Sequence, residues 1–110
     1  MKDEDQEITV VHDNLFEILG IPDERVRVGL AAAITLEIRR RGLTQTRAAK
    51  LLGVKQPDVS AIMNGRIDGF SQERLERLLN ALDMEVRIQV GPRPAGKDRA
   101  GITVQRVDSF

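Results

Sequence analysis

One stretch of the chain, residues 44–66, constrains the fold more than any other part of the sequence. Thr44 is a helix-capping residue type, and the helix that it opens ends at Gly53, where a left-handed backbone is easiest without a Cβ. Ala49 is small enough for a second helix to cross closely. The apolar positions that would fill the space between the two helices are Leu52, Val54, Val59 and Ile62. The spacing predicts a helix-turn-helix.

Amphipathic patterns predict a helix on either side of this stretch. Residues 23–41 carry apolar side chains at helical spacing and stop at Gly42. Ser71 caps a fourth helix, where Phe70 is placed to pack on Leu75. Within the central stretch, Gln56 is predicted to cap the second of the two helices, with Pro57 in its first turn.

Two segments show the alternation typical of strands. The first is residues 7–11, and the second is residues 84–90, which follow the fourth helix. A strand appended to a helical bundle needs a partner, which would be the run at Ile8, the run at residues 102–104, or a second copy of the chain. Pairing between two copies is the natural choice. The predicted dimer-interface residues are Met84, Val86, Ile88 and Val90.

The chain is therefore predicted to be mainly α, a small helical bundle with a helix-turn-helix and a C-terminal β-strand used in dimerisation. Four segments follow: an acidic N-terminal arm (1–22), the helix-turn-helix domain (23–83), a dimerisation strand (84–90) and a flexible C-terminal tail (91–110). The glycine- and proline-rich residues 91–101 indicate a connector.

The formal net charge of zero conceals a strong gradient. Residues 1–24 hold eight acids and one lysine, a balance of −7, whereas residues 39–66 hold seven bases and only Asp58, a balance of +6. Such a basic region attracts a polyanion or is simply a solvated face. The triplet Arg39-Arg40-Arg41 likewise either steers a polyanion or complements the C-terminal dipole of its helix.

Composition excludes several classes of function. The chain has no cysteine, and His12 is its one histidine, which we expect to be a surface side chain. It has no Trp or Tyr to stack single-stranded bases, and no apolar run near 20 residues. We expect a cytoplasmic protein that is not an enzyme, with no catalytic residues, no cofactor, no metal and no membrane partner.

The segment TQTRAAKLLGVKQPDVSAIMNGR, residues 44–66, resembles the Cro/repressor-type (XRE) helix-turn-helix family. The resemblance extends over about residues 25–82. The acidic arm, the helical core and the strand at 84–90 together look more narrowly like HigA-type antitoxins of type II toxin–antitoxin systems.

The resemblance implies that the helix beginning near Pro57 enters the major groove of duplex DNA. Gln56 would read adenine, Lys55 guanine or a phosphate, Ser60 a base or a phosphate, and Ala61 a thymine methyl group. The full predicted DNA-binding set is Thr44, Gln45, Lys55, Gln56, Pro57, Asp58, Ser60, Ala61, Asn64 and Arg66.

The resemblance and the helix position suggest roles for four more of these residues. Gln45 would present its helix N-terminus to a phosphate, and Asn64 and Arg66 would clamp the backbone. For Asp58 three options remain: accepting a hydrogen bond from cytosine N4, repelling phosphate, or complementing the first turn of its helix.

The resemblance also implies partners. A homodimer would repress transcription from a palindromic operator in double-stranded DNA. In the antitoxin reading, the chain would neutralise a small basic ribonuclease toxin of the HigB kind, engaged by the acidic arm, and repress its own operon. The alternative is a stand-alone phage- or stress-type regulator without a toxin. A helix-turn-helix used only for protein contacts is disfavoured by the basic motif.

Overall fold

The computed structural model describes the backbone of residues 6–10 and the whole of residues 24–110. His12 and most of the acidic arm lie outside this part of the chain. No helix in the described part is long and apolar enough to cross a membrane. The elements in chain order are β1 Gln6–Val10, α1 Glu24–Arg40, α2 Gln45–Leu52, α3 Gln56–Met63, α4 Gln72–Ala81 and β2 Ile102–Arg106.

The four helices form one bundle around α1. Helix α1 packs against α3 and α4, and α2 packs against α3 and α4. Ile34 and Ile38 of α1 are almost fully buried. So are Val59 of α3, Leu75 of α4, and Leu82 at the end of α4. Burying such side chains supplies about 2 kcal/mol each. The predicted fold class, a small helical bundle with a C-terminal strand, is confirmed.

The predicted caps are present with one exception. The hydroxyl oxygens of Thr44 and Ser71 each accept a hydrogen bond, of 3.1 Å, from the backbone N–H three residues later. Helix α3 begins one residue earlier than predicted: Lys55 is its N-cap, and the Lys55 carbonyl accepts from the Asp58 N–H at 2.9 Å. Gln56 is therefore the first helical residue rather than the cap, and no side chain caps α3.

The strand predicted at residues 7–11 is confirmed by β1, which pairs antiparallel with β2 in the register Ile8 opposite Val104. The ribbon lies on α1, where β2 approaches the helix closely at Gly29. A Cβ on Gly29 would lie 2.8 Å from the Val104 Cβ, inside van der Waals contact. The prediction of a flexible tail over 91–110 is therefore wrong for residues 102–106, because β1 provides the hydrogen-bonding partner that a strand needs.

The strand predicted at residues 84–90 is not formed in the single chain. These residues belong to no helix or strand, and the two described strands pair with each other. Met84 and Val86 are half-buried against the bundle core, whereas Ile88 and Val90 are 75% and 94% exposed. The alternation was real, but it does not create a strand without a partner. The dimerisation role of these residues remains a prediction.

A buried carboxylate joins the sheet to the bundle. One oxygen of Glu37 (α1) accepts a hydrogen bond of 2.7 Å from Arg41, and the other accepts one of 3.2 Å from Arg106 (β2). The side chains of Glu37 and Arg106 are only 2% and 6% exposed. Arg41 also donates to the carbonyl of Leu82 at the end of α4. Glu37 thus connects α1, α4 and β2.

The charge of Glu37 is favoured despite its burial. Burial raises the pKa of a carboxyl group, but the hydrogen bonds from Arg41 and Arg106 and the positive charge of Arg40 outweigh that effect, so the pKa of Glu37 lies below its ordinary 4.5. Burial alone would lower the pKa of Arg106, but its contacts with Asp108 and Glu37 hold that pKa above the ordinary value.

We predict that Glu37→Gln destabilises the protein by about 3 kcal/mol, because it leaves Arg106 buried without its full counter-charge. Chemical denaturation at pH 7 measures this loss. A folded-state pKa below the unfolded one contributes stability that is complete above the unfolded value and disappears as the pH falls through the folded value. The difference in free energy of unfolding between wild type and variant should therefore become smaller as the pH falls below about 4.5.

Glu73→Gln is the matched control for this prediction. Glu73 also pairs with an arginine four residues later in a helix, Arg77, but their side chains are 74% and 70% exposed. An exposed pair of this kind contributes only about 0.5 kcal/mol. Equal destabilisation by the two variants would show that Glu37 has no special role in the fold.

Candidate nucleic-acid interface

Helices α2 and α3 cross at the tight turn that the sequence predicts. Gly53 adopts the left-handed conformation with φ of 72°, and the N–H of Val54 donates to the Ala49 carbonyl at 3.0 Å. Ala48 and Ala49 are buried in the helix contact, as are Val59 and Ile62 on the side of α3 that faces the bundle. Because these residues fix which side of α3 is inside, they also fix which side is available to a ligand.

The outward side of α3 carries the predicted DNA-binding residues of this helix. Lys55, Gln56 and Pro57 are exposed at its N-terminus, and Asn64 is exposed at its C-terminal cap. Ser60 and Ala61 are half-buried between them. The helix therefore presents a short surface of small and polar side chains with its N-terminus uncapped by any side chain.

The first residues of the two helices are hydrogen-bonded to each other. The Gln56 amide nitrogen donates to the Gln45 amide oxygen at 2.5 Å, and the Gln45 amide nitrogen lies 3.9 Å from the sulfur of Met63. Both glutamines are predicted site residues, but their contact was not foreseen. Its sequence signal is that each is the first helical residue of its helix. The contact holds the two side chains together at the junction of α2 and α3.

The remaining polar candidates are divided between structural and exposed roles. The Thr44 hydroxyl is engaged in capping α2. The Asn64 amide nitrogen donates to the Ser60 carbonyl at 2.8 Å, which closes the end of α3. Gly65 then adopts a positive φ of 77°, and Arg66 follows with an exposed side chain. Of the two predicted clamp residues, only Arg66 keeps its side-chain donors outside hydrogen bonds to other described residues.

Asp58 has a partner that the sequence analysis missed. Its carboxylate lies 3.6 Å from the guanidinium of Arg74, in the first turn of α4. That guanidinium also lies over the ring of Phe70, 4.5 Å from the ring centroid. Asp58 is in the first turn of α3, as the dipole interpretation requires. No local pattern links residues 58 and 74, because only tertiary packing brings the two helix N-termini together.

The basic residues of 39–66 fall into two groups. Arg40 and Arg41 pair with Glu37, so their charge serves the fold. The second group is exposed and forms no ion pair with any carboxylate among residues 24–110. Its members are Arg39, Arg47, Lys50, Lys55 and Arg66. The two interpretations of the arginine triplet were thus incomplete: two of its members neutralise a buried acid.

Comparisons with known proteins agree with this geometry. A family model described as a helix-turn-helix domain matches residues 21–91. A solved structure named as an XRE-family transcriptional regulator is 44% identical, and the match covers 71% of this chain and 88% of that one, with a TM-score of 0.64. No curated protein matches the chain. The family match covers more than half of the sequence, and α2 and α3 lie inside it. The chain therefore belongs to the XRE-type family of helix-turn-helix transcriptional regulators.

Proposed function

We propose that this protein is a transcriptional repressor that binds a palindromic operator in double-stranded DNA as a homodimer. The observation that carries the proposal is the hydrogen-bonded pair Gln45 and Gln56, held at the exposed N-termini of two crossing helices. Exposed cations without a described carboxylate partner accompany this pair on residues 39–66. A polar reading surface combined with positive charge is what recognition of duplex DNA requires.

Gln56 is suited to adenine by the hydrogen bonds it has left. An amide side chain has two N–H donors and one carbonyl acceptor. Gln45 takes one donor of Gln56, which leaves one donor and the acceptor. Adenine presents one acceptor, N7, and one donor, N6, in the major groove. The bond to Gln45 also limits the rotamers of Gln56, so less side-chain entropy is lost when the base is bound.

Phosphates are the proposed ligands of the surrounding groups. In the first turn of α2 the Arg47 N–H bonds to the Thr44 hydroxyl, whereas the N–H groups of Gln45 and Thr46 precede the first helical hydrogen bond and can bind a phosphate. Lys55 and Arg66 are exposed at the two ends of α3, so they can bind the sugar–phosphate backbone on either side of the reading surface. Pro57 and Ala61 have no polar side-chain atom, and we assign them apolar contacts with thymine methyl groups.

The dimer contact is assigned to residues 84–90. Ile88 and Val90 expose large apolar side chains, and no described strand satisfies the backbone of this segment. Pairing with the same segment of a second copy would satisfy the backbone and cover both side chains. Two recognition helices would then face two half-sites about one turn of DNA apart, which explains a palindromic operator.

We predict that Gln56→Ala reduces affinity for the selected operator by about 1–3 kcal/mol and leaves affinity for random duplex nearly unchanged. The reason is that the substitution removes a base contact but no charge. Selection from a random duplex pool, followed by anisotropy titrations of operator and random DNA at fixed salt, measures both affinities.

Two matched variants frame this prediction. Gln72→Ala removes the glutamine at the first position of α4, which bonds to Glu76 in its own helix, and should change neither affinity. Arg66→Ala should reduce the affinities for operator and random duplex by the same factor and lower the slope of the salt dependence by about one unit. If Gln56→Ala weakened operator and random duplex equally, α3 would not be the helix that reads the bases.

We predict that the double substitution Ile88→Asp, Val90→Asp leaves the chain folded but converts the dimer to monomer. Both side chains are exposed in the single chain, so its own core is not disturbed, whereas four carboxylates would be forced together in the dimer. Sedimentation velocity and circular dichroism test the two parts. A dimer that survives the double substitution would place the interface elsewhere.

An antitoxin is the second candidate function, favoured by the acidic N-terminal arm. A balance of −7 in residues 1–24 is complementary to a small basic protein, such as a ribonuclease toxin of the HigB kind. The chain would then neutralise that toxin and repress the operon that encodes both. A stand-alone regulator would have the same DNA-binding surface but no such partner.

Recovery of a stoichiometric small basic protein distinguishes these alternatives. Tagged chain at native expression level in its own host would be isolated, and the co-eluting proteins identified by mass spectrometry. The antitoxin predicts one basic partner, released when the acidic residues of the arm are replaced by amides and retained when Glu73 and Glu76 of α4 are replaced. Recovery of the chain alone would favour the stand-alone regulator.

A further inference from the structure

The pair Asp58 and Arg74 joins the first turn of α3 to the first turn of α4, beside the side of α3 that carries Gln56. Asp58 is the only acid in residues 39–66 and stands two positions after Gln56. Successive helical residues are rotated by about 100°, so Asp58 is turned away from Gln56 toward the flank of α3, next to buried Ile62. A carboxylate at this position would repel phosphate if its charge were uncompensated.

Arg74 is held beside Asp58 by contacts on two sides. Its guanidinium lies over the ring of the buried Phe70 and 3.6 Å from the Asp58 carboxylate. The Arg74 guanidinium makes no hydrogen bond to another side chain or carbonyl among residues 24–110, and the Arg74 side chain is 41% exposed. Its N–H donors therefore remain available, and the stacking leaves the cation little freedom.

We propose that Arg74 is a phosphate-binding and positioning residue, which binds the DNA backbone while it holds the Asp58 carboxylate at the flank of α3. Its charge compensates Asp58, so that the N-terminus of α3 can approach the phosphates, and Asp58 is kept from accepting a hydrogen bond from a cytosine. This inference rests on the proposed DNA-binding function. Of the three interpretations of Asp58, it favours the charge that would repel phosphate, here neutralised by Arg74, over the hydrogen bond to cytosine.

The test compares Arg74→Gln, Arg74→Lys, Asp58→Asn and the double variant Asp58→Asn, Arg74→Gln in the full chain. Each is titrated with selected operator and random duplex over a range of salt concentration, after thermal denaturation has shown that it is folded. Arg77→Gln is the control. Arg77 lies in the same helix, three positions after Arg74, but it pairs with exposed Glu73 instead of Asp58.

Arg74→Gln should reduce the affinity for both DNAs about tenfold and lower the slope of the salt dependence by about one unit. The reason is that a phosphate contact is lost and Asp58 becomes uncompensated. Arg74→Lys keeps the charge and should retain the salt dependence of wild type. Asp58→Asn should not alter the preferred sequence, and the double variant should recover part of the affinity that Arg74→Gln loses. If the pair were purely structural, the substitutions would lower the melting temperature, and the double variant would not recover DNA affinity.

Three results would overturn the inference. The first is an Arg74→Gln variant with unchanged affinity and salt dependence, and the second is a double variant no better than Arg74→Gln. The third is an Asp58→Asn variant that changes the preferred base, since Asp58 would then be a reading residue. Loss of the proposed function is seen separately, because wild type itself would then bind neither operator nor random duplex, and the inference would fall with it.

Discussion

The carboxylate of Glu37 is the interaction on which the assembled structure depends. It is nearly inaccessible to water, and an uncompensated charge there would be costly, so the fold must bring cations to it. Three cations from two parts of the chain do so: Arg40 and Arg41 from the end of α1, and Arg106 from the C-terminal strand. Arg41 also binds the Leu82 carbonyl at the end of α4. One buried group therefore ties together parts of the chain that are 69 residues apart.

This arrangement changes the meaning of the basic segment. Seven bases in residues 39–66 suggest a uniformly positive surface, but two of the first three compensate Glu37 rather than face a ligand. In addition, the charge of Asp58 within the segment is compensated by Arg74, which lies outside it. The surface that meets DNA in the proposed function is thus defined by which charges are already paired inside the protein. Sequence position alone does not reveal that.

The elements that follow from local chemistry were predictable. Capping by Thr44 and Ser71, the left-handed Gly53 and the buried Ala49 each depend on residues within one turn or one helix crossing, so the helix-turn-helix was predicted with small errors. The cap of α3 differed by one residue because Lys55, not Gln56, supplies the first carbonyl acceptor.

Features that depend on distant partners were not predictable in this way. The alternation at residues 84–90 resembles that at residues 102–106, and only the pairing with β1 decides which becomes a strand in the single chain. The contact of Gln45 with Gln56 and that of Asp58 with Arg74 join residues on different helices. For the site, residue types and the outward face of α3 could be predicted, whereas the pairing between side chains could not.

A neutral protein that binds DNA must use the distribution of its charge rather than the total. At distances beyond about 10 Å, salt screens the field of a chain whose net charge is zero, so long-range attraction to DNA is weak. Five exposed bases in residues 39–66, together with Arg74, act only at contact. Each contacted phosphate adds about 0.9 to the salt dependence, so six contacts per chain would give a slope of about −5. Such a protein loses non-specific affinity quickly as salt rises, and its retention on an operator must then depend on base contacts such as that proposed for Gln56.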